Sequence, residues 1–322
     1  MMDVLSQYWQ ALGWPLCRLL LGMAVGLLVA NVLEALHWTR HLARLSAPLA
    51  RAAHLRAVAG AAFALAFVSP AGANGLLSES YGRGDLDRRE LMLANLFNSL
   101  PAYLVHTPAI FLLAWPVLGF PAVIYVGLTL AAALLRTAVT VLLGRWLLPP
   151  ATGGCRAPEL DRPAGGVVLG EALRKAWRRF ARRLPRLVLI TVPVYVLMYL
   201  LQRYGAFAAA EAWLGRHLDW LPMIRPQALG VILLHLAAEF GAALGAAGSA
   251  LQTGGLATED VVMALMVGNI LSTPMRAVRH QLPAYAGFFR PELALRLILA
   301  NQGLRALSMA LMAALYYAVI VR

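Results

Sequence analysis

Two stretches of sequence decide the reading of this chain: Ala94-Asn-Leu-Phe-Asn-Ser-Leu-Pro101 and Val267-Gly-Asn-Ile-Leu-Ser-Thr-Pro274. Each sets Asn, Ser or Thr, and then Pro, in the middle of an apolar run. A Pro in such a run removes a backbone donor and frees a carbonyl. Lipid supplies no hydrogen bonds, so the run persists in a bilayer only where protein or a water-filled path satisfies the freed groups. The two stretches therefore predict a polar site inside a membrane.

The rest of the chain fits that setting. Of 322 residues, 61% are hydrophobic, and the mean hydropathy is +0.69, well above a soluble composition. Taking roughly 20 apolar residues per span, helices are predicted near 14–36, 57–77, 91–113, 121–147, 186–203, 227–251, 259–276 and 293–320. The fold class is an all-α polytopic integral membrane protein of about eight transmembrane helices. The first run follows no basic segment and reads as a span, not a cleaved leader. Between the first two spans, Leu42, Leu45, Leu49 and Leu55 alternate with Arg40, Arg44, Arg51 and Arg56, the pattern of a helix lying at the interface, with a plain solvated connector as the competing reading.

The formal net charge of +13 is concentrated in connections between apolar runs, so it reads as a topology signal and not as a nucleic-acid footprint. The longest polar interval, 151–185, opens rich in Pro and Gly and closes in the basic segment around Arg174-Lys-Ala-Trp-Arg-Arg, which the positive-inside rule puts in the cytoplasm. It separates an N-terminal membrane half, 1–150, from a C-terminal one, 186–322. An even number of spans then puts both termini on the cytoplasmic side of the inner membrane, with Arg276, Arg279 and Arg290 on the opposite side. Cys17 and Cys155 match no disulfide or zinc spacing, and no cofactor is expected.

The halves resemble each other. Gly84-Asp-Leu-Asp-Arg-Arg-Glu leads into the first interrupted stretch and Gly255-Leu-Ala-Thr-Glu-Asp into the second; His106 with Pro108 and His280 with Pro283 trail them. Small residues precede both, in Ser69-Pro-Ala-Gly-Ala-Asn-Gly75 and Gly245-Ala-Ala-Gly-Ser-Ala. Internal duplication is the economical reading, against chance similarity between apolar helices. Asn95, Asn98 and Ser99 beside Pro101, and Asn269, Ser272 and Thr273 beside Pro274, are candidate solute-path residues, because amides and hydroxyls replace water around a polar solute. Ser69 and Asn74 upstream join them. The competing reading is hydrogen-bonding glue between helices. His235 and Glu239 stand one helical turn apart in a predicted span, either an ion or proton site or a structural ion pair, with Arg136 and Arg305 the nearest predicted partners of Glu239. Met263 and Met266 read as packing. Nothing matches GxxxxGK[ST], HExxH or GxSxG, so no motor and no enzyme is expected.

With these residues in place, the chain resembles the Gate domain, or nucleoside recognition domain, family of membrane proteins, and most closely the pore region of its ferrous iron transporters. The resemblance rests on Ser69-Pro-Ala-Gly-Ala-Asn-Gly, Arg88-Arg-Glu-Leu-Met-Leu and Asn95-Leu-Phe-Asn-Ser-Leu-Pro101 for a first gate, and on Leu236-Ala-Ala-Glu239 and Leu265-Met-Val-Gly-Asn-Ile-Leu-Ser-Thr-Pro274 for a second. It runs from about Gly26 to Leu282. The chain carries no GTPase domain, Leu100 and Met275 stand where the iron pores have gate cysteines, and Ala238 replaces the Lys before the gate Glu. The resemblance implies a two-gate pore or carrier for a small polar or ionic solute, nucleoside-like or a metal ion, with the solute left open. A homo-oligomer or a second Gate-domain subunit is compatible with it. The alternative is a non-transporting membrane subunit that scaffolds a partner protein.

Overall fold

The computed structural model describes residues 46–67, 69–150, 169–204, 226–282, 285 and 287–321, together with parts of 6–28. The described residues are helical apart from turns, with no strand among them. In chain order the main helices are α1 (Ser46–Ala52), α2 (Ala57–Ala66), α3 (Pro70–Gly82), α4 (Arg88–Phe97), α5 (Ser99–Leu118), α6 (Phe120–Leu147), α7 (Leu169–Arg203), α8 (Pro226–Gln252), α9 (Thr258–Leu271), α10 (Thr273–Arg276) and α11 (Pro291–Tyr316).

Three helical stretches among the described residues are long and apolar enough to cross a membrane: Arg88–Leu118, Phe120–Leu147 and Pro291–Ile320. They match three of the predicted spans. The predicted helix over 57–77 is instead two short ones. Ser69 is extended (φ −148°, ψ 96°), accepts a hydrogen bond from Gly72 N at 3.0 Å and caps α3, whose first residue is Pro70. A residue before Pro is pushed out of the helical region, and α2, with its ten residues, is about 15 Å long, half the thickness of a bilayer core. The basic segment 174–186 and the predicted span that follows it are one continuous helix, α7. Residues 151–168 of the connector, 205–225, and most of the first predicted span lie outside the described residues, as does the interfacial segment before Ser46.

Two hairpins built alike carry the interrupted stretches. After α3, Gly84 takes φ 81°, with Gly84 N bonded to Tyr81 O and Asp85 N to Ser80 O. After α8, Gly254 takes φ 70°, with Gly254 N bonded to Leu251 O and Gly255 N to Ala250 O. Both are the helix-ending motif in which a left-handed Gly lets the chain reverse while two terminal carbonyls stay bonded. Three residues on, a new helix begins. Asp87 caps α4 by accepting from Glu90 N at 2.8 Å, and the Asp260 carboxylate accepts from Ala257 N at 3.1 Å at the start of α9. Glu90 is buried and also accepts from Arg56 N (3.0 Å) and pairs with Arg56 Nε (3.2 Å), tying the entry of α2 to α4.

The centre is the antiparallel pair α6 and α11, each packed against both interrupted helices, α4 and α9. Two apolar clusters flank the middle. One gathers α1 to α4 around Phe63, Leu77 and Phe97; the other gathers α8 and α9 around Leu244, Leu265 and Met266. Helix α6 runs from the second cluster (Ala122, Tyr125, Ala132) into the first (Ala133), while α11 starts in the first (Ala294, Leu297) and ends in the second (Met309, Ala313).

Where α1 ends, the Ala53 carbonyl lies so close to Gly144 of α6 that a Cβ there would come within 2.2 Å of it, and the His54 ring Nδ1 donates to Leu148 O at 3.2 Å. Gly127, on the same helix, has open space. Gly144→Ala should therefore lower stability by about 1–3 kcal/mol, the range for overpacking, whereas Gly127→Ala should be neutral or mildly stabilising. Melting of the two variants in one detergent checks this; equal melting temperatures would contradict the close packing of α1 on α6.

Candidate functional site

The interruptions are narrow. Asn98 between α4 and α5 (φ −63°, ψ −7°) and Ser272 between α9 and α10 (φ −75°, ψ −6°) are each a single turn residue that stays in the right-handed region and keeps its backbone bond to the carbonyl four residues earlier. Pro101 is the third residue of α5 and Pro274 the second of α10, positions where a helix tolerates Pro because the first turn needs no internal donor. Neither interruption contains an unwound segment.

Between the flanking apolar clusters lies a cavity of about 770 Å³. Its polar lining comes from the first interruption (Asn95, Asn98, Ser99), from the second (Asn269, Arg276), from α6 (Tyr125, Thr129, Arg136), from α11 (Asn301, Gln302, Arg305) and from Asn74, Tyr103, His106, Gln281 and Tyr285. Apolar side chains, Phe240, Phe288, Ile110 and Met309 among them, complete it.

Two contacts bind each interruption to a segment distant in the chain. Asn95 Nδ2 donates to Tyr285 Oη at 3.0 Å, and Asn269 Nδ2 donates to Tyr125 Oη at 2.7 Å. Asn269 also accepts at Oδ1 from Arg276 Nη2 (2.8 Å) and Arg305 Nη2 (3.1 Å). Its backbone carbonyl takes Arg276 Nη2 (2.7 Å), Ser272 Oγ (3.1 Å) and Thr273 Oγ1 (3.1 Å). Two guanidinium nitrogens on one oxygen are no more than about 6 Å apart, which at an effective dielectric of about 20 means ~3 kcal/mol of repulsion to be offset. Arg136, only 5% exposed, donates from Nε to Ser99 Oγ at 3.2 Å. Asn98 differs from its neighbours: it is 8% exposed, and neither side-chain atom has a hydrogen-bond partner among the described residues.

The sequence-predicted residues divide accordingly. Asn74, Asn95, Asn98, Ser99 and Asn269 meet at the cavity. Ser272 and Thr273 do not line it; they are buried and bond back to the carbonyl one turn earlier, the habit of hydroxyls inside helices. Ser69 is occupied as a cap, Pro101 is buried outside the lining, and Pro274 is exposed. His235 is also off the cavity. It packs face to face with α9, where a Cβ on Gly268 would come within 2.8 Å of its own, and its ring meets Phe240 edge-on at 5.8 Å. Glu239 lies on α8 beside Phe240, and its side chain lies outside the described residues. Sequence reasoning missed Tyr125, Tyr285, Asn301 and Gln302, and took Arg276 for a loop charge. Asn301-Gln302 followed by Arg305 in an otherwise apolar helix was a visible signal, because polar groups at that depth face the protein interior. Among the described residues no three His, Cys, Asp or Glu side chains converge as a metal site.

No family model matches the chain, and no solved structure matches it. It is similar to two uncharacterized proteins of Methanocaldococcus jannaschii. One is 25% identical over 274 residues, 85% of this chain and 84% of the relative; the other is 23% identical over 269 residues, 83% of each. Matches of that extent concern the body of the protein and not a single motif.

Removing Tyr125 Oη leaves the Asn269 amide without its acceptor, whereas Asn98 has no partner to lose. Tyr125→Phe should thus destabilise by about 1–3 kcal/mol, while Asn98→Ala should leave the melting temperature unchanged or raise it. Thermal denaturation of the purified variants checks both; a large loss for Asn98→Ala would mean that the residue holds the fold.

Proposed function

We propose that this chain is a transporter or pore of the Gate type, moving a small polar or ionic solute across the inner membrane through the cavity between its two interrupted helices. The observation that carries this reading is Asn98, a buried amide with no partner among the described residues, placed on a cavity of about 770 Å³. Buried polar groups are nearly always bonded, and an exception on a cavity wall points to a ligand or water. The size falls within the range of small-molecule sites.

The arrangement also favours two related halves, 1–150 and 186–322, joined by a cytoplasmic connector. The hairpins match in their turn and in the place of their interruption. The α6 and α11 helices enter from opposite apolar clusters and end on opposite sides, so a cytoplasmic connector after α6 would put the end of α11 across the membrane, against the expectation of four spans in each half and two cytoplasmic termini. In this reading Asn98, Ser99 and Asn95 replace the solute's hydration shell. The crossed Asn95–Tyr285 and Asn269–Tyr125 bonds report the relative position of the halves, and rocking of one against the other alternates access.

A thermal-shift screen of the purified protein against nucleosides, divalent metals and organic anions, followed by uptake of the stabilising class into proteoliposomes, tests the reading. At least one class should stabilise the wild-type chain, and Asn98→Trp, which puts a bulky side chain where the unpartnered amide stands, should abolish both the shift and the uptake. Liposomes no more permeable than protein-free ones to any class, or uptake that survives Asn98→Trp, would overturn it in favour of a scaffolding subunit.

A further inference from the structure

Resting on the cavity as the solute site, we propose that the solute is an anion: a small organic molecule whose carboxylate or phosphate group binds between Arg136 and Arg305. The two arginines occupy corresponding places on the central helices. Arg136 follows Pro121, near the start of α6, by fifteen residues, and Arg305 follows Pro291, the first residue of α11, by fourteen. Both line the cavity, on helices that cross it in opposite directions. Among the described residues Arg136 makes one side-chain hydrogen bond, to Ser99, and Arg305 one, to Asn269, leaving most of the five N–H donors of each guanidinium for another acceptor.

No carboxylate is among the described residues that line the cavity. A guanidinium held away from water is expensive unless an opposite charge and further acceptors accompany it. Its planar fork matches the two oxygens of a carboxylate or phosphate. A cation would meet arginines where it needs oxygen anions, and a neutral nucleoside would leave their charge unanswered. The body of the solute has recognition groups of its own: the unpartnered Asn98 amide and the unpartnered Gln302 Oε1 are both buried on this wall, with Phe240 and Met309 opposite an apolar portion.

The test uses five probes at constant ionic strength: inorganic phosphate, succinate, adenosine monophosphate, adenosine and Mn²⁺. At saturation, at least one of the three oxyanions should raise the melting temperature of the full chain by about 3 °C or more. Arg136→Gln and Arg305→Gln should each reduce that shift at least tenfold in the concentration required, and Arg136→Lys should restore part of it. Because the comparison is between shifts, it stands even where a variant melts earlier than the wild type. Stabilisation by adenosine or Mn²⁺ with none by the oxyanions would overturn the anion and leave the transport reading intact. An oxyanion shift unchanged in Arg136→Gln/Arg305→Gln would overturn its placement. A shift that arises only after Glu239→Gln would assign the counter-charge to Glu239 and overturn the inference.

Discussion

Asn269 gathers three helices and a helix end on one residue. Its amide nitrogen is held by Tyr125 of α6, its amide oxygen by Arg305 of α11 and Arg276 of α10, and its carbonyl by Arg276, Ser272 and Thr273. Where no water competes, such bonds are the means by which apolar helices choose a rotation, because lipid and neighbouring helix are equally apolar to a Leu or Ala face. Hydrogen bonds to charged groups contribute about 1.5–3 kcal/mol each. This residue therefore fixes the interrupted end of α9 against both central helices. On the other side, Asn95 and Tyr285 make the corresponding tie for α4.

The remaining architecture follows from separating that polar layer from fat. Small residues, mostly Ala, fill the two apolar clusters around a few large side chains, which lets helices approach closely, as Gly144 does against Ala53. The cavity is the space left where both clusters stop. Helices α6 and α11 traverse it in opposite directions and bring Arg136 and Arg305 to its lining.

Much of this was legible in the sequence, and for identifiable reasons. Three long spans followed from apolar length alone, and the pairing of Asn with a nearby Pro marked both interruptions. The Gly84-Asp-Leu-Asp and Gly255-Leu-Ala-Thr-Glu-Asp runs marked where the two following helices begin, although the residue that reverses the chain before the second is Gly254. Other features were hidden. An apolar run carries no mark of where it folds back, so 57–77 read as one helix until Pro70 and its cap at Ser69 are seen to restart the chain. The role of Tyr125 and Tyr285 depends on partners 144 and 190 residues away, which no local pattern reports. Arg276 followed the rule for loop charges but folds back onto the preceding helix turn, and Ser272 and Thr273, with the right chemistry, spend it on their own backbone.

The most direct measurement is thiol labelling at position 98. In a chain whose Cys17 and Cys155 are replaced by Ser, Asn98→Cys should react with a small membrane-impermeant thiol reagent, because the proposed solute path runs past that position. Leu100→Cys, two residues on and buried in an apolar cluster, should stay unreactive. An Asn98→Cys protein that resists the reagent from both sides of the membrane, or one that reacts no faster than Leu100→Cys, would contradict a solute path at this interruption.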